Sequence, residues 1–591
     1  MRSTGSTPSC LAPATSLRCA AAERTRTHVW SPSGSKATLN PDPARTRVCV
    51  VGAGAAGLAA AHALVRHGYR SVTVLERDSR VGGKCWTILH DGHTYEVGAG
   101  GLTTAYHNVR DLMREHRVRA RPKVSGWFAE QGSERVNFLQ PLLRSTSALS
   151  IMPEVVRIRR ALQRHKRLLE PGIDGVDAEL YQPFADWARK ERVERVAELV
   201  RPWVTGFGYG FFDETPAVYV LKYLTVFRMP MYELLDTGYG GLWERVAHRL
   251  DARTGTEVRR VIRDGERVVV ETDAGSREYD ALIVACPLDD ALAFIEASPS
   301  ERELIERICY CSYHAVGAIV RNFPRSRYTF WEEHLKREAL GEPMFAYRRW
   351  PESDLVFFYA FGTPDDRERI EAGVRHVVRR HGGSVERIEL SRPWRYFPHV
   401  SSADLGAGFQ ERLEALQGHQ RTFYTGEIFS FSMVEAVVAH ARKIVDRHFA
   451  PPGGRPVLCG TRAHGGQALV QLRPSVQLRP RPSSSPPCVL RRARAPQPCP
   501  SRSVRTGTTQ NGVRFELTSI RPGPGRAPRR GARARGLQRG CFRELHARAM
   551  AQRHGVARVV GQLMIRSRRF APGGAPGEHS IDLLAGTRVR R

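Results

Sequence analysis

Nowhere in the 591 residues is there a run of 18 apolar residues, which excludes a conventional membrane-spanning helix. Cysteine is sparse and unpatterned. Eleven are scattered along the chain, four of them (Cys459, Cys488, Cys499, Cys541) in its last part, and only Cys309 and Cys311 are close. That is neither a disulfide framework nor a zinc spacing, so a reducing compartment and no metal site are expected. Lysine is missing altogether after residue 450. Residues 451–591 hold 28 Arg and 4 acids, a net of +24, with stretches such as RPRPSSSPPCVLRRARAPQPCP and almost no apolar periodicity. Disorder is expected there. Such a composition also matches an out-of-frame reading of a GC-rich gene, with a polyanion-binding tail as the functional alternative. Only VARVVGQLMIRS hints at a short strand or helix. Acids are scarce in residues 1–46, which carry 6 basic and 2 acidic residues amid Ser, Thr and Ala. No apolar core of a secretory signal occurs, so an organellar transit peptide, or an unstructured or wrongly assigned start, is expected. The default location is cytoplasmic, with plastid or mitochondrion as the alternative. The total charge of +31 therefore resides in the ends, because residues 47–450 have a net of only +3. That removes the argument for a nucleic-acid binder.

The neutral body opens on RVCVVGAGAAGLAAAHALVRHGYRSVTVLERDSRVGGKC, residues 47–85. VCVV is a continuous apolar run of strand length, as a buried parallel strand requires. Gly52, Gly54 and Gly57 follow as G-x-G-x-x-G, with Ala53 and Ala56 between them, and a helical segment runs to Gly68. A second strand ends at Glu76. Strand, glycine turn, helix, strand and terminal acid together predict a dinucleotide site. The glycines let the backbone approach a pyrophosphate at the helix N-terminus, and Glu76 is placed to accept from the ribose hydroxyls. After Glu76 and Arg77 comes a second glycine pair, Gly82-Gly83, then Lys84, a cation suited to lie beside phosphates. A strand pair then returns to Gly98, Ala99, Gly100 and Gly101. Residues 254–290 alternate like antiparallel strands around an Asp-Gly turn and end in a buried strand. FYTGEIFSFSMVEAVVAHARKIVDRHF, residues 423–449, predicts a strand, the pair Gly426-Glu427 and a closing helix.

ERxxxxGGK followed by YExGA resembles the FAD-binding start of the flavin-containing amine oxidase superfamily. The resemblance implies FAD, held noncovalently because no covalent attachment signature is present. It places Lys84 by the phosphates, the segment from Gly98 near the flavin, the backbone at Val258 against the adenine, and Glu427 at the ribityl or pyrophosphate region. The helix N-terminus at Val434 and Glu435 would face the flavin pyrimidine end. A fold of the α/β class is expected, with a Rossmann-like FAD domain of three layers (β-β-α, parallel sheet) and an inserted α+β substrate domain. Residues 47–120, 240–290 and 420–450 would form the first, residues 121–239 and 291–419 the second, flanked by the extensions 1–46 and 451–591.

Residues 150–202 contain two stretches with helical spacing of apolar and charged positions. GFGYGFFDETPAVYVLKYLTVFRMPMYELL, residues 206–235, is unusually aromatic. As a core segment it needs no ligand; as a wall it would make an apolar channel with few polar anchors. This segment, with WRYFPHVSSADLGAGF (394–409) and TFYTGEIFSFSMVEAV, resembles the polyenoic fatty acid isomerase family from about Arg47 to Phe449. That likeness implies hydride abstraction from an allylic carbon by flavin N5 and its return farther along the chain, with no strong base required. It also implies an arginine clamping the substrate carboxylate, but the matching stretch PKVSGWF has Ser125 and Gly126. Arg119, Arg121 or Lys123 would have to substitute, or the substrate is esterified. An aromatic gate would fall at Tyr232. The alternatives are an FAD-dependent amine oxidase or carotenoid-type desaturase with net oxidation, and a flavin-binding protein without catalysis. His62, His67, His107 and His399 are expected to be structural, and Cys85 has no partner for a redox pair.

Overall fold

The computed structural model of the chain describes residues 42–122, 128–131, 134–137, 148–226 and 233–450, together with four short strands between residues 503 and 589. A five-stranded parallel sheet gathers Arg47–Val51 (β1), Ser71–Leu75 (β2), Asp251–Arg253, Ala281–Val284 and Thr422–Tyr424. β1 is central, flanked by β2 and by Ala281–Val284. Segments far apart in the chain meet here because each is a short apolar run without polar breaks, suited to a sheet covered on both faces.

The alternation of side chains along a strand decides which layer each residue joins. Val48, Val50, Val72, Val74 and Ile283 pack against the helix Ala55–Arg66 (α1) and the closing helix Val434–His448. Cys49, Val51, Leu75, Leu282 and Val284 face the opposite way, toward Val258, Val261, Val268 and Val270. Those valines belong to an antiparallel sheet of Val258–Arg263, Val268–Thr272 and Gly275–Tyr279. Its first hairpin turns at Asp264-Gly265, where the Asp264 carboxylate accepts from the N–H groups of Glu266 and Arg267. The result is the three-layer α/β arrangement expected.

A buried ion pair ties these layers together. Arg263 donates to Glu301 at 2.8 Å, and the Tyr424 hydroxyl donates to the same carboxylate at 2.5 Å. Burial alone would raise the Glu301 carboxyl, but Arg263, Tyr424 and the Ser298 N–H outweigh it and hold its pKa to about 2. Because the folded value lies below the ordinary 4.5, the stability it contributes is complete above pH 4.5 and is lost as the pH falls toward 2. At neutral pH Glu301→Gln is expected to cost about 3 kcal/mol, since it strands the Arg263 charge. Urea midpoints of the two proteins should converge on acidification.

The second body is a seven-stranded, mainly antiparallel sheet. Its order is Ser384–His399, Cys309–Arg321, Leu355–Gly362, Pro343–Tyr347, Tyr328–Phe330, Phe128–Gln131, Glu134–Asn137. One face packs Val316, Ala318, Phe358 and Ala360 on the helix Arg367–Arg380. The other turns Tyr313, Phe345 and Tyr359 inward. Between the strands the chain forms the helices Ala148–Arg164, Phe184–Glu191, Glu194–Val204 and Ala217–Val226, and Trp203 of the third packs edge-on against Tyr328 and Phe330 of the sheet. The second of the two stretches with helical spacing in residues 150–202 is not continuous. Arg192 adopts a left-handed conformation (φ 56°) and breaks it into two short helices.

No helix among the described residues is long and apolar enough to cross a membrane. After Ala450, Ser503–Thr508 pairs with Arg514–Ser519, and Ile581–Leu583 with Thr587–Val589, each as a short hairpin. The transit-like residues up to 41 and the segment VARVVGQLMIRS lie outside the described residues.

Candidate functional site

The glycines of the first turn have distinct jobs. Gly52 has φ +102°, which disfavours any side chain, and its N–H donates to the Leu75 carbonyl. A Cβ on Gly57 would lie 1.9 Å from the Gly52 carbonyl oxygen, so only glycine lets α1 seat this close to β1. Gly54 is different: a Cβ there would meet no protein atom within 4 Å, and it borders a cavity of about 760 Å³. As the N-cap of α1 it offers no side-chain cap, so the first N–H groups of that helix are left for a ligand.

Around this cavity the expected residues assemble. Gly52, Gly54, Ala56, Glu76, Arg77, Gly82, Gly83, Lys84, Gly98, Ala99, Gly100, Val258, Gly426, Glu427 and Val434 all line it. Ala53 and Gly57 sit behind the lining. The Ala53 N–H donates to Glu76 at 2.8 Å and the Asp78 N–H donates to the other oxygen of the same carboxylate, so Glu76 is held rigidly at the end of β2. Gly82 donates its N–H to the Ala53 carbonyl, which lays the second glycine loop against the first. Arg77 pairs with Asp290 at the rim.

Lys84 and Glu427, 343 residues apart, form an ion pair of 2.6 Å on the cavity wall, with the Ser432 hydroxyl on the same carboxylate. No local pattern announces that pairing. The closing helix begins after Met433 without a side-chain cap, and Val434 lines the cavity, which leaves a second helix N-terminus open to a ligand. Glu435 turns away. Its carboxylate accepts from Asn108 and from the Val109 N–H, and so caps the helix His107–Glu115.

Beyond the glycine loops the same cavity continues into a chamber walled by Phe207, Tyr209, Tyr223, Tyr313, Tyr328, Phe345, Tyr347 and Tyr359. The aromatic segment 206–235 thus divides. Phe207, Tyr209 and Tyr223 form wall, while Phe211, Phe212 and Tyr219 are core. The other wall residues come from the sheet and were missed in the sequence; the alternating aromatics of CYCSYHAV and LVFFYAFG were the available signal. Phe345 stacks on Tyr359 at 4.6 Å, and Tyr313 on Tyr396 at 5.6 Å. Several hydroxyls are spent on backbone: Tyr313 donates to Gly206 at 2.6 Å, Tyr209 and Tyr396 to Ser432. Burial holds Tyr313, Tyr359 and Tyr396 far above the ordinary phenol range, so they stay protonated.

The charged lining includes Glu76, Lys84, Glu96 and Glu427, and among the described residues no histidine lines the cavity. His62 meets Glu115, His67 meets Asp446, and His399 stacks on Phe397. Cys85, buried, and Cys286, half-buried, are both desolvated thiols pushed up to about 12, poor nucleophiles at neutral pH. Tyr232, Lys123, Ser125 and Gly126 lie outside the described residues, as does the side chain of Arg121. Arg119 is exposed, its N–H on Asp236. Leu234, two residues beyond Tyr232, lines the cavity.

Comparison with known proteins places this geometry. The family described as flavin containing amine oxidoreductase matches residues 55–444. The polyenoic fatty acid isomerase of Ptilota filicina is 25% identical over 199 residues, spanning 29% of this chain and 40% of that protein. The FAD-dependent oxidoreductase dbaF of Emericella nidulans is 26% identical over 424 residues, 65% of this chain and 87% of that one. Among solved structures, the fatty acid isomerase from P. acnes that produces CLA superposes with a TM-score of 0.63 at 29% identity, covering 68% of this chain and 99% of its own.

Proposed function

Because the chain belongs to the flavin-containing amine oxidoreductase family, and is an FAD enzyme of that family, we propose that it shifts double bonds along a polyunsaturated fatty acid or related lipid without net oxidation. FAD, when bound, supplies a reversible hydride acceptor. The residues fit that cofactor: two helix N-termini without side-chain caps border the cavity, and beside Gly54 the space is open. In this reading FAD is held noncovalently, with Glu76 at the ribose, the glycine loops and Lys84 along the pyrophosphate, and Val258 at the adenine. Glu427 lies at the ribityl chain and Val434 at the pyrimidine end.

The observation that carries the substrate assignment is the aromatic chamber continuous with the glycine loops. Its walls exclude water and present π-faces, which stabilise a delocalised allylic cation where a carboxylate base is not needed. The hydroxyls of Tyr209 and Tyr313, held on backbone carbonyls, leave the ring faces rather than proton donors toward the chamber. A gate at Tyr232 remains part of this proposal. The likeness to two fatty acid isomerases supports it as well. Turnover in air should release no hydrogen peroxide while conjugated product accumulates. Peroxide formed one-for-one with product would instead establish net oxidation of an amine or other apolar substrate.

A further inference from the structure

Away from the cavity lining, the nucleotide-binding body holds a second cluster of ligating side chains. His62 on α1, and Glu115 and His116 at the end of the helix His107–Glu115, bring one donor atom each within 4.8 Å of one another. We propose that His62, Glu115 and His116 bind a divalent transition-metal ion of the zinc, nickel or copper class, with solvent completing the shell.

Two imidazoles and one carboxylate are the donor set of such ions, whereas calcium and magnesium take oxygen ligands. His62 Nε2 already lies 3.1 Å from Glu115 Oε1, about the spacing of neighbouring donors around a tetrahedral ion with bonds of about 2.0–2.1 Å. The two rings are 5.5 Å apart, so a small rotation of His116 closes the set. A second observation is independent of this proximity. Both histidines are more than nine-tenths buried, yet His116 Nε2 has no hydrogen-bond partner among the described residues. Buried polar atoms are ordinarily satisfied, and a ligated ion satisfies an imidazole nitrogen as a hydrogen bond would.

The surroundings are those of a ligand site. Arg66 holds Glu115 Oε2 at 3.0 Å and leaves Oε1 turned to the imidazoles, an outer contact that orients the carboxylate. Burial lowers the pKa of both histidines, which favours the neutral, ligating ring. Glu115 keeps 31% of its side chain exposed, which provides an entry path and room for water. Arg442, near His62, and Arg245 and Arg249, near His116, disfavour added positive charge. Only ions high in the Irving–Williams order should therefore bind, with micromolar rather than nanomolar affinity. A bound ion would fasten α1, whose N-cap is the cavity-lining Gly54, to the helix His107–Glu115.

The test uses full-length, flavin-loaded protein stripped with chelator and titrated calorimetrically with zinc chloride. One saturable equivalent is expected, together with a rise in Tm, and His116→Gln should weaken that event at least about tenfold at unchanged flavin content. Other histidines give background binding that the variant retains, so the difference between the proteins is the readout. Should His116→Gln fail to fold, Glu115→Gln, altered at the partly exposed ligand, decides by the same comparison. Absence of saturable binding, or equal affinity and stoichiometry in wild type and variant, overturns the proposal.

Discussion

Gly57→Val protein is expected to purify colourless. Even a single Cβ at this position lies 1.9 Å from the Gly52 carbonyl oxygen and 3.2 Å from the Ala285 methyl, and both neighbours are rigid parts of the sheet edge. α1 must therefore lift off β1, carrying its open N-terminus away from the cavity. Gly54→Ala provides the contrast. There the new methyl meets no protein atom, so the fold should be unchanged, while the methyl occupies the space beside the helix N-terminus. Flavin affinity should fall on the order of 100-fold, equivalent to about 2.8 kcal/mol, without loss of thermal stability in the flavin-free protein. Flavin absorbance per chain and apoprotein melting, measured on both variants, separate the two effects. Flavin retained at full occupancy by Gly57→Val would show that α1 does not form the pyrophosphate site.

Phe207→Asp should abolish most lipid turnover while leaving the flavin in place. Phe207 is half-buried on the chamber wall, packed against Trp203 and Phe345, so its replacement reaches the substrate space without emptying a fully enclosed core. A carboxylate there must either stay charged in an apolar chamber or take up a proton, and both are costly beside a hydrocarbon chain. A loss of about 100-fold in kcat/KM corresponds to about 2.8 kcal/mol, within the range for an imperfectly compensated buried polar group. A cationic amine substrate would respond in the opposite sense, its kcat/KM rising through attraction to the new charge. Steady-state kinetics on both substrate classes therefore distinguish the lipid reading from the amine reading.

Much of the nucleotide half was legible because its signals are local. The run 47–76 carries strand, glycine turn, helix and acid within one short stretch, and the hairpin at Asp264-Gly265 announces itself by turn chemistry. Contacts made between distant segments were not legible. Lys84 and Glu427 are each recognisable beside a glycine, yet nothing in either stretch names the other as its partner. Glu435 reads as a residue facing the cofactor, but the step of about 100° from Val434 around the helix sends it to cap the helix His107–Glu115 instead. Aromatic residues reveal apolar surface without revealing whether protein or ligand covers it, which is why Phe211 and Tyr209, two positions apart, separate into core and wall only in three dimensions. His62 and Glu115 lie 53 residues apart, beyond any motif spacing.

The most direct test of the lipid reading mixes full-length, flavin-loaded protein with linoleic or linolenic acid under strict exclusion of oxygen and follows conjugated-diene absorbance alongside the flavin spectrum. Diene growth over many turnovers per flavin, with the flavin oxidised throughout, is the predicted result. Bleaching of the flavin after a single turnover, with no further product until an electron acceptor is added, would contradict isomerisation and establish net oxidation.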